Sequence, residues 1–286
     1  MTERIDVGIQ NQGLEENFPF GITYRAIAVL KSREANAIFA NIFNSSEFLD
    51  TFGWLKGLLS FDNKGGFTSH HRSALAAHLF EQFAYFLVKS RIREIPIADN
   101  TDSNVGLKVL SPTETIELLN IAYPYSPEIL THMGLSQSKG RIKNPDGVVV
   151  GLQGGNTVLV GFCEYTLQYD SPGDLPRRKF RQIKKLESGD LIREILANDE
   201  SQWVIGEFIH SIRPDLPPRL VGKPKDCILI FVRPKKVDDI DDVDQRIIGN
   251  RVHVYTPFIR EQFYLVIDSL IADTLAKVAE QPVSAD

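Results

Sequence analysis

The sequence predicts an α/β fold: a central mixed sheet flanked by helices, with helical additions at the N- and C-terminal ends. Three observations carry this expectation. Apolar residues recur at three- and four-residue spacing over several long stretches. Two short apolar, β-rich runs, VVVGLQGGNTVLVGF and CILIFV, interrupt that pattern. The helical and strand patterns are mixed along the chain, the order expected of helices packed on a central sheet. Three segments follow: a helical N-terminal extension over 1–70, an α/β core over 71–236, and an acidic loop, short strand and C-terminal helix packed on the core over 237–286.

The elements are predicted in this order. The segment REANAIFANIFNSSEFLDTFGWLKGLL carries Ala37, Phe39, Ile42, Phe43 and Leu49 at helical spacing, and Gly65-Gly66 breaks the pattern. A second helix runs from Ser73 to Arg91 with Leu75, Leu79, Phe83, Phe86 and Leu87 as its stripe, and Glu81 borders that stripe. Ser111-Pro112-Thr113-Glu114 has the form of a capping box, and Ser126-Pro127-Glu128 repeats the start signal before the stop at Gly134. Gly154-Gly155-Asn156 lies between two apolar β-runs and predicts a hairpin inside a covered sheet. A helix is expected over 175–187, a buried strand over 227–232, a further strand over 252–255 and a closing helix over 258–278. The inward side of that last helix would hold Phe263, Val266, Ile267, Leu270, Ile271 and Leu275. The strand before the hairpin falls in either 105–110 or 139–142.

Composition excludes several classes. With 43% apolar and 24% charged residues over 286 positions, the chain can build a core and is not disordered. No run of 18 apolar residues occurs, so no membrane partner is expected, and the first residues lack the apolar stretch of a secretory signal. Cys163 and Cys227 lie in apolar runs, as buried thiols of a reducing, cytoplasmic protein would. The net charge of −5 conceals a concentrated basic stretch, since six of the ten residues from Pro176 to Lys185 are Lys or Arg.

The hairpin carries the chemistry. Asp146 opens its first strand and Glu164 lies near the end of the second. With the turn centred on Gly155, the two acids fall directly opposite each other, their Cβ atoms about 4.5–5.5 Å apart. A one-residue slip would send them to opposite faces. Two carboxylates that close repel, and a bound Mg²⁺ or Mn²⁺ relieves the repulsion through oxygen ligation. Such an ion can polarise a phosphoryl oxygen.

Asn144-Pro145-Asp146-Gly147 before an apolar strand, with Glu164-Tyr165-Thr166 on the next, resembles the PD-(D/E)XK phosphodiesterase superfamily. The resemblance spans about Ser73 to Val232 and implies a restriction-endonuclease-like core ordered helix, three strands, helix, strand. It makes Asp146 and Glu164 the ligands of Mg²⁺ or Mn²⁺, adds the Tyr165 carbonyl, and offers Glu81 on the preceding helix as a further ligand. Thr166 stands where the family carries a lysine. Lys179, Gln182 and Lys185 on the following helix are the substitutes, and Arg177, Arg178, Arg181 and Lys184 would meet DNA phosphates. The implied activity is metal-dependent hydrolysis of DNA phosphodiesters, with a homodimer natural where two strands must be cut. The alternative from another class is a catalytically degenerate module of the same fold, serving nucleic-acid binding or protein assembly.

Other features carry less. His70, His71 and His78 read as a loop pair and a helix-face histidine, and His210 and His253 are isolated. Gly151-Leu152-Gln153-Gly154-Gly155 lacks the spacing of a phosphate loop. The acidic run over 238–244 lacks an EF-hand pattern, and Trp54 and Trp203 read as core or interface residues.

Overall fold

The computed structural model describes residues 33–43, 68–94, 106–122, 145–167, 199–222, 228–235, 245–248 and 252–280, with Leu30, Ser45 and Gly53 as single positions. They form a mixed α/β fold. In chain order the elements are α1 (Arg33–Phe43), α2 (Ser69–Arg91), β1 (Lys108–Val109), α3 (Pro112–Ala122), β2 (Gly147–Gln153), β3 (Asn156–Tyr165), α4 (Asp199–Ile212), β4 (Leu220–Gly222), β5 (Ile228–Val232), β6 (Gln245–Ile248), β7 (Val252–Tyr255) and α5 (Arg260–Glu280). The chain divides into two compact units, one comprising 79–257 and the other 1–78 with 258–286. This differs from the expected boundaries: β6 and β7 belong with the sheet, and the C-terminal helix groups with the N-terminal residues.

The sheet unit has strand order β1-β2-β3-β5-β7-β6, with β4 beside β3. It is mixed. The β1-β2-β3 and β7-β6 pairs are antiparallel, whereas β3, β5 and β7 run parallel. β4 and β5 lie in succession along the same edge of β3, pairing with Thr157–Leu159 and Gly161–Tyr165 respectively. β1 lies within 105–110, the earlier of the two segments left open by the sequence, while 139–142 lies outside the described residues.

One face of the sheet holds Val148, Val150, Leu159, Phe162, Leu229, Phe231, Val252 and Val254, packed with Leu118 of α3 and with Ile205 and Ile209 of α4. The apolar stripe of α4 runs through Ile205, Phe208, Ile209 and Ile212, a helix absent from the expected order. Its Trp203 is 63% exposed, so it is no core residue. Gly206 sits where α4 crosses the chain leading to β4, and a side chain there would run into the Pro218 carbonyl. Arg91 of α2 meets the sheet at β7, its guanidinium 5.5 Å over the Tyr255 ring.

Two caps form as the sequence specified or in a variant of it. Ser111 N–H donates to Glu114 Oε2 at 2.7 Å, and Glu114 N–H to Ser111 Oγ at 3.2 Å. That is the reciprocal pairing of a capping box. α2 begins at Ser69, earlier than expected, because Thr68 caps it: the Thr68 N–H donates to His71 Nδ1 at 3.1 Å, the imidazole standing in for the usual carboxylate. His70 and His71 thus belong to the first turn of α2 and not to a loop.

The described residues of the second unit are mainly helical. Phe263 of α5 stacks on Phe258 at 5.2 Å and meets Phe39 of α1 at 6.0 Å. Arg72 grips Asp268 through two bonds of 2.6 and 2.7 Å and lies 4.4 Å over the Tyr264 ring. On α5, Phe263, Val266, Ile267 and Leu270 are buried as expected, but Leu275 is exposed and Thr274 takes the inward place. The Thr274 hydroxyl satisfies itself on the Leu270 carbonyl at 2.7 Å.

Candidate metal centre

The hairpin turn positions the acids, by a route other than the expected one. The turn has two residues, Gly154 and Gly155, with φ of 55° and 74°. Positive φ at both central positions is the type I′ geometry that matches strand twist, and glycine adopts it without a Cβ penalty. Pairing then runs from Gln153 opposite Asn156 to Val150 opposite Leu159. Continued unbroken, this ladder would set Asp146 one residue away from Glu164 in register.

A β-bulge corrects it. The register shifts between Val149 and Val150, so that Val149 pairs with Gly161, Val148 with Phe162 and Gly147 with Cys163. Val160 is the extra residue. Its effect is visible in packing, because Leu159 and Phe162, three positions apart, both join the same apolar cluster. An uninterrupted strand would send them to opposite faces. The sequence carries one mark of this, the glycine at 161.

At Asp146 the chain bends out of the ladder. Its N–H donates to the Cys163 carbonyl at 2.9 Å, and its Oδ2 accepts the Tyr165 N–H at 2.6 Å. Those two groups flank Glu164 on the edge of β3 that faces β2. Asp146 therefore sits astride Glu164, its carboxylate taking the place of the next backbone acceptor. Tyr165 spends its N–H on Asp146, while Thr166 donates its N–H to the Val232 carbonyl at 3.0 Å and continues the pairing with β5.

Glu164 is only 6% exposed. It pairs in register with Phe231, which in turn pairs with Val254, so its row belongs to the face covered by α3 and α4. Cys163 and Tyr165 occupy the other face. A Cβ at Gly147 would lie 3.0 Å from the Tyr165 hydroxyl and 3.4 Å from the Cys163 Sγ, so glycine makes room for both. Burial pushes the Cys163 thiol up to about 12, with nearby Asp146 adding to the effect. Burial likewise raises the Tyr165 phenol well above its ordinary value, reinforced by Cys163, Asp146 and Tyr85. Its hydroxyl has no nitrogen or oxygen partner among the described residues and lies beside the thiol.

Glu81 is half-buried on α2. Among the described residues, no three His, Cys, Asp or Glu side chains come together to hold a metal ion, so Glu81 does not join Asp146 and Glu164 in one cluster. Asp146 and Glu164 are each a hard carboxylate of the kind Mg²⁺ takes, but the Asp146 charge acts on the Cys163 thiol and the Tyr165 phenol, which occupy the face opposite Glu164. The basic segment, with Arg177, Arg178, Lys179, Arg181, Gln182, Lys184 and Lys185, lies outside the described residues, as do Cys227 and the acidic run. No described helix is long and apolar enough to cross a membrane.

No family model, no curated protein and no solved structure matches this chain.

Proposed function

We propose that this chain is a metal-dependent nuclease of restriction-endonuclease-like architecture that hydrolyses phosphodiester bonds of DNA. The observation that carries this reading is the placement of Asp146 astride Glu164 at the end of β3. The succession α2, the antiparallel β1-β2-β3, α4 and β5 supports it, being helix, three strands, helix, strand with α3 inserted after β1 and the short β4 before β5. Asp146, Glu164 and the Tyr165 carbonyl would hold Mg²⁺ or Mn²⁺. The ion would supply Lewis-acid stabilisation of charge on a phosphoryl oxygen. Asp146 is oriented for this task by the Tyr165 N–H, and Glu164 is held by the packing of its strand. The basic residues after β3, Lys179, Gln182 and Lys185 among them, would neutralise phosphate charge in place of the missing lysine.

A second reading has its own observation. Glu164 is nearly excluded from solvent and Thr166 occupies the lysine position. Both favour a degenerate nuclease-fold module that binds nucleic acid or assembles with protein. Incubation with plasmid, single-stranded and branched DNA in Mg²⁺ or Mn²⁺ tests the first reading, which requires cleavage abolished in Asp146→Asn and Glu164→Gln. Cleavage undiminished in both variants rejects the assignment. Calorimetric titration with Mn²⁺ separates the two readings, since the degenerate module binds no ion through Asp146.

A further inference from the structure

A cleft of about 540 Å³ opens at the β1 edge of the sheet unit, where the end of α2, strand β1 and the turn after α4 converge. Its volume falls in the range of about 300–1,000 Å³ typical of small-molecule sites. Four cations line it, Lys89, Arg93, Lys108 and Arg213, against one carboxylate, Asp215. They come from three separate parts of the chain, so only the fold assembles them. Two are compensated: Lys108 pairs with Asp215, and Arg213 reaches Glu114 at 3.3 Å. Arg93 has no ion-pair partner among the described residues, and Lys89 lies only over the Tyr85 and Phe86 rings.

Among the described residues, the cleft thus holds more positive charge than its walls neutralise. Lys108 registers the excess. Its pKa is lowered by burial and then by the repulsion of Arg213 and Arg93, even with Asp215 alongside. β1 pairs only with β2 among the described strands. Backbone alternation in that ladder turns the Val109 N–H away from β2, toward the cleft edge. Leu107 and Ile212 add apolar surface between the charges. Guanidinium and ammonium groups around a partly apolar floor, with a backbone donor at the rim, match a ligand that carries both phosphate and a flat organic moiety.

We propose that this cleft binds the phosphate of a nucleotide unit, presented either by a nucleic-acid strand or by a free nucleotide. The site is separate from Asp146 and Glu164 and does not depend on the activity assigned to them. Val150, which pairs with Lys108, lies four residues along β2 from Asp146, roughly 13 Å at the rise of a strand.

Fluorescence anisotropy with a labelled oligonucleotide, competed with ATP and with heparin, tests the proposal. The full chain is compared with Arg93→Glu and Lys108→Glu, each checked by thermal melting. Arg93→Glu and Lys108→Glu should each weaken binding by about tenfold or more, and the salt slope should fall by about 0.7–0.9 for each phosphate left without its cation. Binding is read in EDTA, where neither cleavage nor metal at Asp146 and Glu164 contributes. Strong displacement by ATP identifies the free nucleotide as the source, and weak displacement identifies the strand; either supports the site. Should Lys108→Glu fail to fold, Arg93→Glu decides alone, because Arg93 is exposed. Unchanged affinity in Arg93→Glu overturns the proposal, as does an unaltered chain that binds neither probe. Heparin competing as well as the phosphate ligands overturns the phosphate assignment.

Discussion

Asp146 has a structural role that mutation can separate from the metal-binding role proposed for it. Its carboxylate replaces a backbone acceptor for the Tyr165 N–H at 2.6 Å. Asp146→Asn keeps an oxygen acceptor and should leave stability nearly unchanged. Asp146→Ala orphans the Tyr165 N–H and should cost about 1–3 kcal/mol, measured by urea unfolding. Equal stability of the two variants would show that the bond is not made. His253 gives a pH prediction. It is 1% exposed, neither ring nitrogen has a partner among the described residues, and burial lowers its pKa below 6.5. Because the folded value lies below the unfolded one, the unfolded chain takes up the proton first. The histidine's effect is absent above about pH 6.5 and stability falls as pH drops below it; His78 acts in the same direction. His253→Leu should therefore flatten the decline of melting temperature between neutral and mildly acidic pH. An identical acid profile in the variant would refute this.

Elements are legible in the sequence where their signals are local. Ser111 and Glu114 specify the α3 cap from four adjacent residues, and the bonds at both ends of the box are formed. Ser111→Ala should cost about 0.5–2 kcal/mol in chemical denaturation. The start of α2 is hidden because a histidine performs the reciprocal role expected of a glutamate. α4 escapes notice although its stripe is present, because Gly206 lowers its apparent helix propensity. That glycine is required by packing against the Pro218 carbonyl, and Gly206→Ala should destabilise the chain despite the better propensity of alanine. A gain in melting temperature would contradict the close approach. The candidate site is legible only in part: the sequence pairs the acids through a three-residue turn that does not exist. The two-residue turn and the Val160 bulge together reach the same register, and nothing short-range distinguishes the two solutions.

At the scale of the molecule, sequence order misleads about grouping. The helices nearest the two chain ends share one unit, and the sheet takes everything between. Linear segmentation cannot see contacts such as Phe39 to Phe263, which span most of the chain. Phe263 is fully buried between Phe39 and Phe258, and Phe263→Ala should cost about 3–5 kcal/mol in urea unfolding. The Arg72–Asp268 pair, whose side chains are 37% and 46% exposed, should contribute far less than its short bonds suggest. The cations of the edge cleft are invisible for the same reason as the aromatic contact, since residues near 90, 108 and 213 meet only after folding.

The bulge in β3 makes the hairpin a parity device. Two residues in the turn and one unpaired residue in the strand yield the same alignment of acids as three in the turn and none in the strand. Because Val160 is unpaired, deleting it alone should leave Val149 opposite Gly161 and Asp146 in line with Glu164, so any chemistry of the acidic pair should survive the deletion. Loss of the bulge residue should then be tolerated without any change in the loop, and its presence or absence is countable in any set of sequences that keep both acids.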